Sequence, residues 1–209
     1  MTDTEYQPFT YPIENVKGFL DPAEGEALHK LAFEAAPHGP ILEVGSYCGK
    51  STHYLGLGAK QRAGQVFALD HHRGSEEHQL NEEYHDPDLY DIEVEAMDSL
   101  PYFRRVIRRA GLEDTVVPLV ADSATAARYW ATPLAMVFID GGHSLAQAMI
   151  DWRSWGHHVS KGGTLAIHDI FENPDEGGQA PFEIYKLALA SGLFEDVARV
   201  KTLAILRRV

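Results

Sequence analysis

The first periodic signal along the chain is helical. Leu28, Leu31, Ala32 and Ala35 recur at the three- and four-residue spacing of one helix face. Asp21-Pro22-Ala23-Glu24 stands directly ahead of them: a capping aspartate, a proline at the first helical position, and a glutamate three residues after the cap. The pattern predicts a helix that opens at Asp21 and is closed by Pro37 and Gly39. The period then changes. Ile41–Gly45, Val66–Asp70, Val116–Asp122, Met136–Asp140 and Thr164–Asp169 are short apolar runs, each ending in Gly or Asp. Unbroken apolar runs of this length suit strands covered on both faces, as in a parallel sheet. Leu100, Phe103, Ile107 and Ala110 mark one helix face between them, and Leu145, Met149, Trp152, Trp155 and Val159 another. A short segment, Ala124–Trp130, joins the third and fourth runs, and Pro181 to Ala190 reads as a further helix. Phe194–Val200 and Leu203–Arg207 read as an antiparallel hairpin. The alternation predicts a three-layer α/β fold: a doubly wound, mostly parallel sheet of seven strands with a C-terminal antiparallel hairpin.

Two stretches lack a period. Residues 1–20 are read as an arm packed on a domain spanning 21–209. Residues 74–98 carry ten acidic side chains. A polar loop of that length inside a compact domain is usually functional, and this one follows a strand end, where it can act as a lid.

Charge narrows the partners. The formal net charge of -13 repels phosphate backbones and argues against nucleic acid. No apolar run reaches the roughly 20 residues of a membrane span. The acidic start does not resemble a signal peptide, and Cys48, the single cysteine, fits a reducing compartment. A cytoplasmic location is expected. Beside a turn, Cys48 reads as a small packed side chain, Trp152 and Trp155 read as core, and His157-His158 as a helix end.

The chemistry gathers at the strand ends. Ile41-Leu42-Glu43-Val44-Gly45-Ser46-Tyr47-Cys48-Gly49-Lys50-Ser51-Thr52 runs a strand into a glycine turn and a helix. Such a turn lets a ligand approach the backbone and the free N–H groups of the helix. Its G-x-x-x-G spacing departs from the dinucleotide fingerprint and misses the P-loop by one residue. A plain tight turn satisfies the same glycines. Asp70, at the tip of the second strand, is placed to accept a ribose diol, or to cap or face solvent. Asp140 and Asp169 end two strands expected to be neighbours, and two carboxylates there repel unless a cation or proton sits between them. A hard, oxygen-ligated Mg²⁺ suits them, while a ligating His168 favours a softer ion such as Mn²⁺. Adjacent strand residues point to opposite faces, so His168 and Asp169 share a site only where the strand has ended. His168 otherwise packs beneath the site or acts as a base. His143, three residues after Asp140, is placed either as a general base for a substrate hydroxyl or as a helix cap. His71, His72 and Arg73 are read as an acceptor pocket, with His78 and His85 either joining it or solvated. Ser51 and Tyr47 are further candidate cofactor contacts.

These motifs resemble a family. Glu-x-Gly-x-x-x-Gly, an acidic second-strand end, Asp122-Ser123, Asp140 and a C-terminal hairpin resemble the Rossmann-like class I S-adenosylmethionine-dependent methyltransferases. Phe138-Ile139-Asp140-Gly141-Gly142-His143 and Gly162-Gly163-Thr164-Leu165-Ala166-Ile167-His168-Asp169 resemble the metal-dependent O-methyltransferase branch that includes the macrolide-sugar enzymes. The run Asp70 to Glu77 resembles enzymes acting on methylated mannosides. The resemblance implies S-adenosylmethionine held by Gly45, Gly49, Ser51, Asp70, Asp122 and Ser123, with Asp122-Ser123 near the adenine. It implies a divalent metal, Mg²⁺, at Asp140, His168 and Asp169. One departure stands out: the macrolide enzymes carry Glu-Asp where this chain has His168-Asp169. The expected activity is O-methylation of a carbohydrate hydroxyl on a small-molecule or oligosaccharide acceptor by a homodimer. Natural-product or catechol-like acceptors, a nicotinamide-dependent oxidoreductase and a non-catalytic binding module are the alternatives.

Overall fold

The computed structural model describes residues 4–10, 12–13, 15–74, 86–142 and 144–209. Helix α1 (Pro22–Ala35) begins as its sequence dictates: Asp21 accepts the Ala23 N–H at 2.9 Å, and Glu24 reaches back to accept the Asp21 N–H at 3.2 Å. Strand β1 (Ile41–Val44) follows, then α2 (Lys50–Lys60) and β2 (Val66–Asp70). After a small antiparallel pair, β3 (Tyr90–Asp91) and β4 (Ala96–Met97), come α3 (Leu100–Arg109), β5 (Val116–Val120), α4 (Ser123–Ala127) and β6 (Leu134–Ile139). The chain ends with α5 (Leu145–Trp155), β7 (Val159–Ile167), α6 (Ala180–Ala190), β8 (Phe194–Val200) and β9 (Leu203–Arg208).

Seven strands form one sheet in the order β5-β2-β1-β6-β7-β9-β8. The first five are parallel, and β9 and β8 close the edge antiparallel. This is a three-layer, Rossmann-like α/β arrangement, the doubly wound sheet with a C-terminal hairpin that the sequence predicts. Strand order reverses between β1 and β6, and open sheets of this kind bind ligands at the carboxyl edge of that switch point. All four residues of β1 and all six of β6 are buried, because helices cover both faces. Trp155 is wholly buried under one face and Phe103 under the other. Complete burial of a side chain of that kind contributes about 3 kcal/mol.

Several element limits differ from the sequence reading: β5 stops at Val120, short of Asp122, and β3 and β4 pair inside the 74–98 stretch that shows no period. Val159 starts β7 instead of extending α5, because Gly156–His158 tightens into a 3₁₀ turn. That strand ends at Ile167, so His168 and Asp169 lie beyond it. The arm packs on α1 and α2: the Tyr6 hydroxyl meets His29 Nδ1 at 2.9 Å, and the Gln7 N–H donates to Gln61 at 2.8 Å. Among the described residues no helix is long and apolar enough to cross a membrane.

Candidate active site

Gly45 builds the switch point. Its φ is +90°, and a Cβ there would lie 2.0 Å from the carbonyl oxygen of Asp140. Only glycine lets the ends of β1 and β6 approach so closely. The turn then runs to Gly49, the N-cap of α2 at φ +91°. Asp70 clamps this turn from the neighbouring strand. One carboxylate oxygen accepts the Tyr47 N–H at 2.7 Å, and the other accepts the His72 N–H at 2.6 Å. Each oxygen keeps a further lone pair for a ligand.

These elements enclose a cavity of about 500 Å³. Gly45, Ser51, Asp70, Asp122, Ser123 and Asp140 line it, joined by His71 and Asp169. Gly49 is turned away, with the ring of Phe103 against it. Asp122 is exposed and caps α4, accepting the N–H and the hydroxyl of Thr125, both at 2.8 Å. Those bonds hold its carboxyl below the usual range. Ser123 is buried and accepts the Trp155 indole N–H at 3.2 Å. The arm also reaches the cavity, through Lys17, Gly18, Phe19 and Leu20, which sequence reasoning did not foresee. Lys17 bridges to Asp86 at 2.5 Å and Asp88 at 2.8 Å, tying the arm to the middle of the acidic 74–98 stretch.

The second group of residues meets at His168. The strand has ended and Asp169 adopts φ +57°, so both side chains turn to the same place. His168 Nδ1 lies 2.9 Å from Asp140 Oδ1 and 3.4 Å from Asp169 Oδ1. Its Nε2 lies 2.9 Å from Glu24 Oε2. Burial alone would lower the imidazole's pKa, but the charge of Asp140 and bonds to Asp140, Asp169 and Glu24 hold it far above the ordinary histidine value. Burial pushes Glu24 up, yet bonds from His168 and Thr202 outweigh it and the carboxyl stays low. Both partners therefore point to an ion pair. Asp140, His168 and Asp169 each offer one donor atom, all within 4.8 Å of one another. This donor set fits a divalent ion that displaces the Nδ1 proton, since only the deprotonated nitrogen can ligate. Nδ1 faces both aspartates, while Nε2 is fixed by Glu24, the arrangement in which a carboxylate orients a metal-bound histidine.

His72 and Arg73 are not brought into the cavity. His72 is 1% exposed, adopts φ +58°, and its Nδ1 lies 2.8 Å from Ser99 Oγ. The guanidinium of Arg73 donates to the Met97 carbonyl at 3.2 Å and sits 3.7 Å from Asp98. It braces the chain after β4. His143, His78 and His85 lie outside the described residues, as does the rest of 75–85. Three buried acids escaped the sequence reading as site residues. Glu24 read only as a capping residue. Glu43 is wholly buried in β1, accepts the Thr52 hydroxyl, and is pushed up to about 8 by burial. Asp151, on α5, lines the cavity floor.

Residues 42–170 match the family model described as a methyltransferase domain. The chain belongs to this methyltransferase family. Solved structures repeat the fold. An O-methyltransferase from Bacillus cereus in complex with SAH is 20% identical, with a TM-score of 0.62, covering 93% of this chain and 84% of that one. TomG from Streptomyces achromogenes, an O-methyltransferase involved in tomaymycin synthesis and solved in complex with SAM, is 14% identical. Its TM-score is 0.61, covering 91% of this chain and 82% of that one. The O-methyltransferase NovP is 17% identical, with a TM-score of 0.67, covering 90% and 80%. In this methyltransferase the matched segment spans Gly45, Asp70, Asp122, Asp140, His168 and Asp169. Glu24 comes from outside it. Family membership overrides the nicotinamide-oxidoreductase alternative, in line with the absent G-x-G-x-x-G.

Proposed function

We propose that this methyltransferase moves the methyl group of S-adenosylmethionine to a hydroxyl oxygen of a carbohydrate acceptor, assisted by a divalent metal. The observation that carries the reading is the meeting of Asp140 and Asp169 on His168, beside a cavity that Asp70 and the glycine turn line. The O-methyltransferases solved with SAH and SAM support the cofactor and the oxygen acceptor. In this reading Gly45, Ser51, Asp70 and Ser123 hold the cofactor. Gly49 presents the N-terminus of α2, and Asp122 stands at the rim. The C–S bond of the sulfonium breaks as the C–O bond forms, leaving a neutral thioether. The hydroxyl proton goes to His143, the proposed base, and general-base help of this kind is worth about 10² to 10⁴ in rate.

Asp140, His168 and Asp169 would hold the ion, Mg²⁺ or Mn²⁺, which when bound acidifies a neighbouring hydroxyl. His71 faces the cavity as an acceptor contact. Residues 21–209 act as one domain in this reading, in a cytoplasmic homodimer. Isothermal titration of S-adenosylmethionine, with and without Mg²⁺ or Mn²⁺, tests it on wild type and Asp70→Ala. Micromolar binding that Asp70→Ala abolishes is expected, followed by methyl gain on methylated mannosides in a mass-spectrometric assay. Absence of heat at every metal concentration would overturn it, and turnover of catechols alone would replace the acceptor.

A further inference from the structure

Among the described residues, two buried polar atoms of the cavity lining make no hydrogen bond: Ser46 Oγ and, on its floor, Asp151 Oδ2. Asp151 is 1% exposed. Its Oδ1 accepts a hydrogen bond from Gln147 Nε2 at 2.9 Å; Oδ2 is buried and makes no hydrogen bond within 3.5 Å, although the Ser123 side chain stands near enough to favour the charged form. A buried acceptor left unsatisfied costs about 1–3 kcal/mol, and more when charged. Such an atom in a native site calls for a partner, which a water, an ion or a ligand can supply.

Its surroundings say which group. Ser123 stands just past β5, and Gly141–Gly142 just past β6; with Gln147 and Asp151 they line the cavity. A Cβ on Gly141 would stand 2.4 Å from Asp151 Oδ2, so the carboxyl lies directly against that turn. Gly141 and Gly142 carry no side chains, which leaves a slot beside Ser123 for a flat ring. Asp122, which the family resemblance places near the adenine, is exposed, with both oxygens engaged by Thr125.

We propose that Asp151 reads the base of the cofactor, its Oδ2 accepting the exocyclic amino group of adenine at the floor of this slot. The assignment rests on the S-adenosylmethionine reading above. A carboxylate pairs with the amino donor at the 6-position. A 6-oxo purine puts an acceptor against an acceptor there, and sites built around such a bond reject analogues that cannot make it.

Isothermal titration with S-adenosylhomocysteine and its 6-oxo counterpart, S-inosylhomocysteine, tests this on wild type, Asp151→Asn and Asp151→Ser. Wild type should prefer the adenosyl ligand by about 100-fold. Asp151→Asn offers an amide donor to the 6-oxo group, so the preference should collapse or invert; Asp151→Ser should simply reduce it. Thermal melts of each variant report folding, and the wild-type ratio stands even where a variant fails to fold. Equal binding of the two ligands by wild type would overturn the assignment. So would an unchanged ratio in both variants, the signature of a purely structural acid. If wild type binds neither ligand, the S-adenosylmethionine reading falls and this assignment falls with it.

Discussion

Glu24 Oε2 lies 2.9 Å from His168 Nε2, although 144 residues separate them along the chain. The same glutamate accepts the Thr202 N–H at 2.8 Å and its hydroxyl at 2.7 Å through the other oxygen. One buried carboxylate therefore joins the start of α1, the end of β7 and the tip of the C-terminal hairpin. Breaking a buried pair strands the remaining charge, which costs about 3–5 kcal/mol. Glu24→Ala is expected to lose stability on that scale in urea denaturation. Glu24→Gln should keep the shape and lose the charge, weakening Mn²⁺ binding by about 10- to 100-fold as a second-layer partner of a ligating histidine does. Electron paramagnetic titration of Mn²⁺ reads that change; equal affinity would separate Glu24 from the metal site.

Gly45→Ala is expected to be severely destabilised. The added methyl would sit 2.0 Å from a backbone oxygen, in a left-handed conformation. Gly111→Ala is the control, since its φ of +64° carries the conformational cost with nothing within 4 Å. Gly111→Ala should cost about 1 kcal/mol, and Gly45→Ala several times more. Comparable midpoints in denaturant would contradict the close approach of β1 to β6.

Burial lowers the His53 pKa to about 4, against an ordinary value of 6.5. The folded state thus keeps this ring neutral while the unfolded chain takes up a proton. Stability is full above pH 6.5, declines as pH falls below it, and stops declining near pH 4. Two and a half pKa units bound the effect at about 3 kcal/mol, of which about 2 should appear between pH 7 and pH 5. His29, also lowered by burial, acts in the same direction. Unfolding free energies at the two pH values should converge in His53→Gln more than in wild type.

Asp70→Asn tests the clamp on the glycine turn. It removes the charge that receives the Tyr47 and His72 N–H groups. Charge-assisted bonds of this kind are worth about 1.5–3 kcal/mol. The variant should bind S-adenosylhomocysteine at least tenfold more weakly while its melting temperature falls by only a few degrees. A large thermal loss with unchanged affinity would make Asp70 a scaffold residue alone.

The strands were legible in the chain because each parallel strand is a short apolar run closed by Gly or Asp. Gly45, Asp70, Asp140 and Asp169 were legible for the same reason: the carboxyl edge of the sheet is where such runs stop. Glu24 was visible only as a cap, since nothing local announces a partner beyond the far end of β7. Asp151 lies in mid-helix among Gln147, Trp152 and Arg153, and a polar residue there reads as a solvated face. His72 follows Asp70 like a surface histidine, but a positive φ tucks it beneath Ser99. The arm's contribution through Lys17 and Phe19 depends on a tertiary path with no periodic trace.

The hairpin tip at Thr202 completes the coordination of Glu24, so α1 cannot settle its own buried charge until strands β8 and β9 exist. During synthesis, about four-fifths of the chain emerges before His168 does, and nearly all of it before Thr202. A nascent chain stalled ahead of His168 would expose Glu24 to water and leave Asp140 without its imidazole. Assembly of the acidic centre is thus a late folding event, dominated by contacts of very long sequence separation and slowed accordingly.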